Sequence, residues 1–311
     1  MDLRTEMIKI AHYYYDLGYN QQEIADRLNM SRQRVNRLLK RALDDGIVEI
    51  QVHGYKDSNV ELESQLETRL GLREVRVVDH GEGESFGACV MDYLEPLLTD
   101  GINVGVSFGS TLAQVCSASR SHSPRDLNIV QLLGGINSNS VTSRPDDIVN
   151  RIAAAFGAKA YNFFIPAIVD NLKLKEMVYT EEQFQPILEL YKKIDIAVMP
   201  IGAMWEETTI IRDGYLRDKD YAMLQEKNAV GDIALRFLDI DGNIVDEELN
   251  SRVTGISTEE LKAVPLKIGL GYGWRKVKPI VAAVRGGFMD VLITDVRTAR
   301  LVLECTQESA L

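Results

Sequence analysis

Cysteine is scarce in this chain: Cys89, Cys116 and Cys305 are the only three among 311 residues, and they form no CxxC pair. Neither a disulfide framework nor a thiolate metal site fits that spacing, and small buried apolar thiols in a reducing compartment are expected. The four histidines, His12, His53, His80 and His122, lie far apart and show no metal-ligand spacing. No apolar run approaches ~18 residues, so no helix is expected to span a membrane. The start, MDLRTEMIKIAHYYY, lacks the form of a signal peptide, and a cytoplasmic location is expected. Neither a GxGxxG run nor a Walker loop occurs, so no nucleotide cofactor is implied. Net positive charge is also lacking, the balance being −11.

That acidic balance argues against a nucleic-acid partner only if the chain is taken whole. Residues 1–55 hold eight Lys/Arg and eight Asp/Glu, and the remainder holds 27 basic and 38 acidic groups. Between Ser31 and Ala42 there are five Lys/Arg and no Asp/Glu. Positive charge is therefore gathered on one short stretch, QQEIADRLNMSRQRVNRLLKR, residues 21–41.

This stretch reads as two helices around a tight turn. Ile24, Ala25 and Leu28 make one apolar face, and Ala25 is small where the helices must cross. Val35, Leu38, Leu39 and Ala42 follow the helical period on a second face. Asn29 occupies the turn position that needs a left-handed backbone, and Ser31 is an N-cap. With Val35 and Leu38 inward, Gln33, Asn36, Arg37 and Lys40 face out, flanked by Arg32, Arg34 and Arg41. Arg, Asn and Gln on one helix can read guanine and adenine edges in a major groove. A helix-turn-helix DNA reader at residues 1–55 is expected, with Gln33, Asn36 and Arg37 at base edges and Arg32, Arg34, Lys40 and Arg41 nearer phosphates. Helix 3–17 should close the unit through Met7, Ile10, Ala11, Tyr14 and Leu17. Gly46 should end the second motif helix, and residues 47–52 alternate like a short wing strand.

Residues 58–70 read as a connecting helix with a narrow stripe of Leu62, Leu66 and Leu70. That stripe suits packing on the second domain or on a partner subunit. From residue 74 apolar strands alternate with helices. Strands are expected at 74–79, 102–107, 127–132, 159–164, 195–201, 229–238, 266–270 and 290–294. Helices are expected at 84–98, 110–119, 145–156, 180–193, 218–227, 258–264, 274–285 and 295–304. Alternation with near-continuously apolar strands means a mostly parallel α/β sheet domain over 56–311.

In such sheets ligands bind at the carboxyl ends of strands. Four loops stand there. Gly105 to Thr111 brings Gly109, Ser110 and Thr111 to a helix start that can face an anion or a polyol. Gln131 to Gly135 ends the next strand with Gln131, Gly134 and Gly135. The Ala229-Val230-Gly231-Asp232 run sets the Asp232 carboxylate beside a glycine, as a sugar-hydroxyl site needs. Gly271 to Lys276 follows a strand with Gly273 and places Lys276 in the first turn of a helix, where it can meet a phosphate.

With these residues in view, the chain resembles the SorC family of sugar-responsive bacterial transcriptional regulators. The ordered set is QQEIADRLNMSRQRVNRLLKRALDDGIV, GVSFGST, NIVQLLGG, AVGDI, SRVTGIS, GYGWRK and VRGGFMDVLITDVRTARLVL, and it covers nearly the full length. The resemblance implies a Rossmann-like effector domain related in fold to sugar-phosphate isomerases, a sugar or sugar-phosphate effector, and a homodimer or homotetramer on an operator. It assigns Lys276 to the phosphate. Three positions depart from the pattern: Tyr272 between the loop glycines, Phe108 in place of Trp, and Asn228 in place of Gly. The rival reading is a sugar-phosphate isomerase or deaminase with an appended DNA-binding module. Asp232 is the only carboxylate among the motifs able to serve as its base, and no histidine stands near it in the sequence.

Overall fold

Residues 2–50, 59–79, 85–116, 123–135, 144–205, 209–212 and 214–308 are described by the structure, a computed structural model. The chain divides into two units, Met1–Asp57 and Ser58–Leu311. The expected 55/56 boundary falls among residues 51–58, outside the described residues.

The first unit holds α1 (Leu3–Ala11), α2 (Gln21–Leu28) and α3 (Arg32–Asp44). Its core is Met7, Ile10, Ile24, Ala25, Val35, Leu38, Leu39 and Ala42. Both motif helices close by the same geometry. Asn29 has φ 51°; its N–H donates to the Asp26 carbonyl, and the Met30 N–H donates to that of Ala25. Gly46 has φ 67°; its N–H donates to Leu43, and the Ile47 N–H donates to Ala42. This is the six-to-one closure that needs a left-handed residue just past the helix. Ser31 accepts from the Arg34 N–H at 3.2 Å. A capping box of Asn20 with Glu23 starts α2.

Two expectations are corrected in this unit. Residues 47–50 form no strand, and 51–52 lie outside the described residues. The Ile47 and Val48 N–H groups both bond the Ala42 carbonyl and their side chains pack on the core, so neither N–H joins a ladder. Tyr14 and Leu17 are exposed rather than inward. After Ala11 the helix widens into a π turn, His12–Asp16, with the Leu17 N–H on the His12 carbonyl. Tyr13, on the neighbouring side of the helix, packs against the core instead.

The second unit runs α4 (Val60–Leu70), β1 (Glu74–Val78), α5 (Phe86–Leu94), β2 (Asn103–Val106), α6 (Ser110–Val115), β3 (Asn128–Gln131), α7 (Pro145–Phe156) and β4 (Lys159–Tyr161). It continues with α8 (Leu172–Thr180), α9 (Gln185–Tyr191), β5 (Ile196–Ala203), α10 (Thr209–Arg212), α11 (Asp218–Glu226), β6 (Gly231–Ile233) and β7 (Arg236–Leu238). It ends with α12 (Glu247–Arg252), α13 (Thr258–Ala263), β8 (Leu266–Leu270), α14 (Val277–Arg285), β9 (Val291–Asp295) and α15 (Val296–Glu308). Seven strands pair in parallel in the order β1-β9-β8-β5-β2-β3-β4. β5, β8 and β9 are buried almost throughout, as a sheet covered on both faces requires.

The expected strand 229–238 is two strands. β6 and β7 form an antiparallel hairpin on the end of β5, joined by Ala234 and Leu235 at φ 49° and 60°. Such a primed two-residue turn strains any residue with a Cβ. Arg236 holds it by donating to the Ala234 carbonyl at 2.6 Å and to the Ile256 carbonyl. α8, α10 and α12 have no counterpart among the expected helices, and α8 buries no side chain that could mark it. The three cysteines are half-buried, not buried.

The leucine stripe of α4 faces its own unit. Leu66 is buried, and Leu62 and Leu70 pack on the same core. The Glu67 and Glu63 carboxylates accept from the Val75 and Val77 N–H groups, each at 2.9 Å. β1 is an edge strand, and α4 covers that edge with acceptors.

Candidate effector site at the strand-order reversal

β3 and β4 build outward from β2 on one side, and the chain then returns to set β5 on its other side. The carboxyl ends of β2 and β5 flank the point where the order reverses, the general ligand crevice of open α/β sheets. A cavity of about 60 Å³ opens there, lined by Ser107 to Thr111, Pro200 to Gly202, Ile210, Asp232, Ala234 and Lys276. Five expected ligand residues thus meet: Gly109, Ser110, Thr111, Asp232 and Lys276.

Asp232 is the chemical centre. It is 5% exposed. Its Oδ2 accepts from the Leu235 N–H at 3.1 Å, while its Oδ1 is buried with no hydrogen-bond partner among the described residues. Burial pushes its pKa up to about 6, against the pull of Lys276, the Leu235 N–H and Arg236. Burial also lowers the pKa of Lys276, and the Asp232 charge opposes that shift. A desolvated carboxylate and a desolvated ammonium thus share a small cavity, each incompletely satisfied.

The other four expected ligand residues sit elsewhere. Gln131 is buried and ties Leu133 to Phe163 through its amide. The Gly134 N–H donates to the Thr254 carbonyl at 3.3 Å. Gly273 gives its N–H to Thr298 Oγ1. Lys276 itself ends a 3₁₀ turn, Trp274–Lys276, and caps α14 from outside rather than lying in its first turn. Tyr272 does not line the cavity; its hydroxyl accepts from Gln114 and its ring lies on Phe86.

Gly135 lines a second, larger cavity of about 580 Å³, with Arg144, Asp146, residues 164–168, Gly214 and Tyr215. The Tyr215 ring stacks on Phe108, centroids 4.4 Å apart and 11° from parallel. One aromatic pair therefore walls both cavities. Sequence reasoning missed Gly202 and Tyr215. Gly202 directly follows the expected strand 195–201, which is a signal; Tyr215 has none.

The seven expected DNA-facing residues, Arg32, Gln33, Arg34, Asn36, Arg37, Lys40 and Arg41, are all exposed on α3. They are not equivalent. Arg34 reaches both oxygens of Glu6, at 2.9 and 3.0 Å, Arg41 pairs with Asp45, and Asn36 accepts from Gln21. Arg32, Gln33, Arg37 and Lys40 have no side-chain partner among the described residues.

Residues 56–304 match a family model described as "Putative sugar-binding domain", and residues 9–45 match "Sigma-70, region 4", a helix-turn-helix module. The chain is 34% identical to the deoxyribonucleoside regulator of Bacillus subtilis, over 97% of this chain and 99% of that one. It is 29% identical to the sorbitol operon regulator of Klebsiella pneumoniae, over 97% and 98%. The full-length crystal structure of that sorbitol regulator superposes with a TM-score of 0.74 at 27% identity, covering 97% of this chain and all of that one. The chain belongs to the SorC family. This SorC-family protein is a DNA-binding transcriptional regulator with a sugar-binding domain, and the enzyme reading falls away because its relatives are regulators. Among the described residues no helix is long and apolar enough to cross a membrane.

Proposed function

We propose that this regulator acts in the cytoplasm as a homo-oligomer on a repeated or palindromic operator and senses a phosphorylated sugar or sugar alcohol at the Asp232–Lys276 cavity. The observation that carries the reading is the Asp232 Oδ1: a buried acceptor without a donor among the described residues, sharing its cavity with a desolvated lysine. A sugar hydroxyl supplies the missing donor, and a phosphate supplies a further anionic partner for the Lys276 ammonium. Two relatives are named for deoxyribonucleosides and for sorbitol, which share hydroxylated carbon chains. About 60 Å³ holds roughly two waters, so the effector must displace a wall. The Phe108–Tyr215 stack is the wall shared with the larger cavity.

On α3, Gln33, Asn36 and Arg37 meet base edges, and Arg32, Lys40 and Arg41 meet phosphates. Arg34 serves the backbone less, because Glu6 holds it. A thermal-shift screen of sugars, sugar alcohols and their phosphates tests the effector. A phosphate ester should stabilise the protein more than its neutral parent, and Lys276→Ala should abolish that shift while DNA binding without effector persists. Equal binding of neutral and phosphorylated forms, unaffected by Lys276→Ala, would refute the phosphate reading.

A further inference from the structure

The π turn at His12–Asp16 does more than end α1. The core that α1 joins holds only eight buried residues, and Tyr14 is not among them. Within the turn Tyr14 is 36% and Tyr15 40% exposed, their rings edge to face at 4.9 Å. Single-turn π insertions of this kind occur frequently at functional sites.

Tyr14 forms one wall of a surface groove of about 410 Å³ with Asn20, Gln21, Gln22 and Arg32. The lining offers a phenol, amides and a guanidinium, and no carboxylate. Arg32 has no ion-pair partner among the described residues, unlike Arg34 and Arg41. The groove is continuous with the α3 face, since Arg32 belongs to both and the Gln21 amide donates to Asn36 at 3.3 Å. An anionic, extended partner with hydrogen-bond acceptors fits this lining, and the adjoining α3 face already takes duplex DNA on the reading above.

We propose that Tyr14, exposed in the π turn, clamps the DNA sugar–phosphate backbone together with Arg32, beside the groove that α3 reads. Tyr side chains are among the ordinary donors to phosphate oxygens, and such contacts add affinity without sequence preference. This inference rests on the α3 reading, and the two can be separated by experiment.

The full-length protein is tested on a duplex that it selects from a random pool and on a scrambled duplex of the same composition, across a salt series. Tyr14→Phe removes only the hydroxyl, and Tyr14→Ala removes the ring; the position is exposed, and circular dichroism checks the fold. Each variant should weaken both duplexes by a like factor, about tenfold to a hundredfold for one hydrogen bond to a charged group. Arg32→Ala should lower the salt slope by about one. Unchanged binding of both Tyr14 variants at every salt concentration overturns the clamp, even where Arg37→Ala loses the selected sequence. A loss confined to the selected duplex also overturns it, because a backbone contact reads no sequence. If Arg37→Ala has no effect while the Tyr14 and Arg32 variants weaken both duplexes, the clamp stands and the α3 assignment fails.

Discussion

The Asp232 carboxylate occupies the space that a side chain on residue 202 would need: a Cβ built on Gly202 would lie 1.6 Å from Asp232 Oδ1. β5 and β6 pair with residue 202 opposite 232, so the carboxylate can lie across its neighbour only where that neighbour is glycine. Gly202→Ala should therefore expel the carboxylate from its position. The expected result is loss of the effector's thermal shift with a fold that survives, destabilised by ~1–3 kcal/mol as overpacked cores are. Calorimetry of the variant with and without effector checks both parts.

Asp232 should also give the protein a pH-dependent stability of recognisable sign. Its folded pKa is raised to about 6 from the ordinary 3.8, because burial disfavours the charged form. Between those values the folded state holds a proton that the unfolded state has released. Stability from this group is then fully present below pH ~4 and lost as pH rises through ~6, by an amount on the order of 3 kcal/mol. Urea titrations between these limits should show the decline superposed on other groups, and Asp232→Asn should remove that component. An effector that donates to Oδ1 and brings an anion to Lys276 should alter the same component.

Much of this was legible in the chain because local rules and global fold agree there. Asn29, Ser31 and Gly46 are residues whose backbone preference is fixed by the turn they make, and the inward positions of α3 follow one period. Tyr14 was misplaced because three consecutive tyrosines fit more than one helical phase, and no local rule marks a π insertion. The hairpin after Asp232 was read as one strand because Ala234 and Leu235 are not turn residues. Two tertiary holds make that turn tenable: Arg236 donates to the Ala234 carbonyl, and Asp232 accepts from the Leu235 N–H. The strand-end loops announced Gly109 to Thr111, Asp232 and Lys276. Gln131, Gly134 and Gly273 carry the same chemistry but spend it on bonds within the fold, to Leu133 and Phe163, Thr254, and Thr298, a distinction set by tertiary contacts.

On DNA, the ion pairs of α3 rank its arginines. Arg37→Ala should cost ~1–3 kcal/mol at the operator and relax one base position. Lys40→Ala should weaken all sequences alike and flatten the salt dependence. Arg34→Ala should cost less than Arg37→Ala, because its guanidinium is already shared by both oxygens of Glu6. Fluorescence anisotropy against operator and scrambled duplex gives the order directly. Operator affinity unchanged by Arg37→Ala would show that this face is misassigned.

α4 yields a prediction about assembly. Its leucines are committed to its own unit, with Leu66 at 0% exposure, and its carboxylates hold the edge of β1. The proposed homo-oligomer, expected to use helix 58–70 and sheet-unit surfaces, then does not rest on that leucine stripe. Leu66→Ala should cost ~2–5 kcal/mol of stability, yet sedimentation below the unfolding temperature should find the same oligomer as the parent. Glu63→Ala with Glu67→Ala leaves two edge N–H groups without acceptors, at ~1–3 kcal/mol each if they stay dry. The uncovered edge should also raise aggregation, read by light scattering on heating. Dissociation of Leu66→Ala to monomer at an unchanged Tm would place α4 in the subunit interface and overturn the assignment of its stripe to the core. Sedimentation of the parent as monomer alone at micromolar concentration, with and without DNA, would remove the oligomer itself.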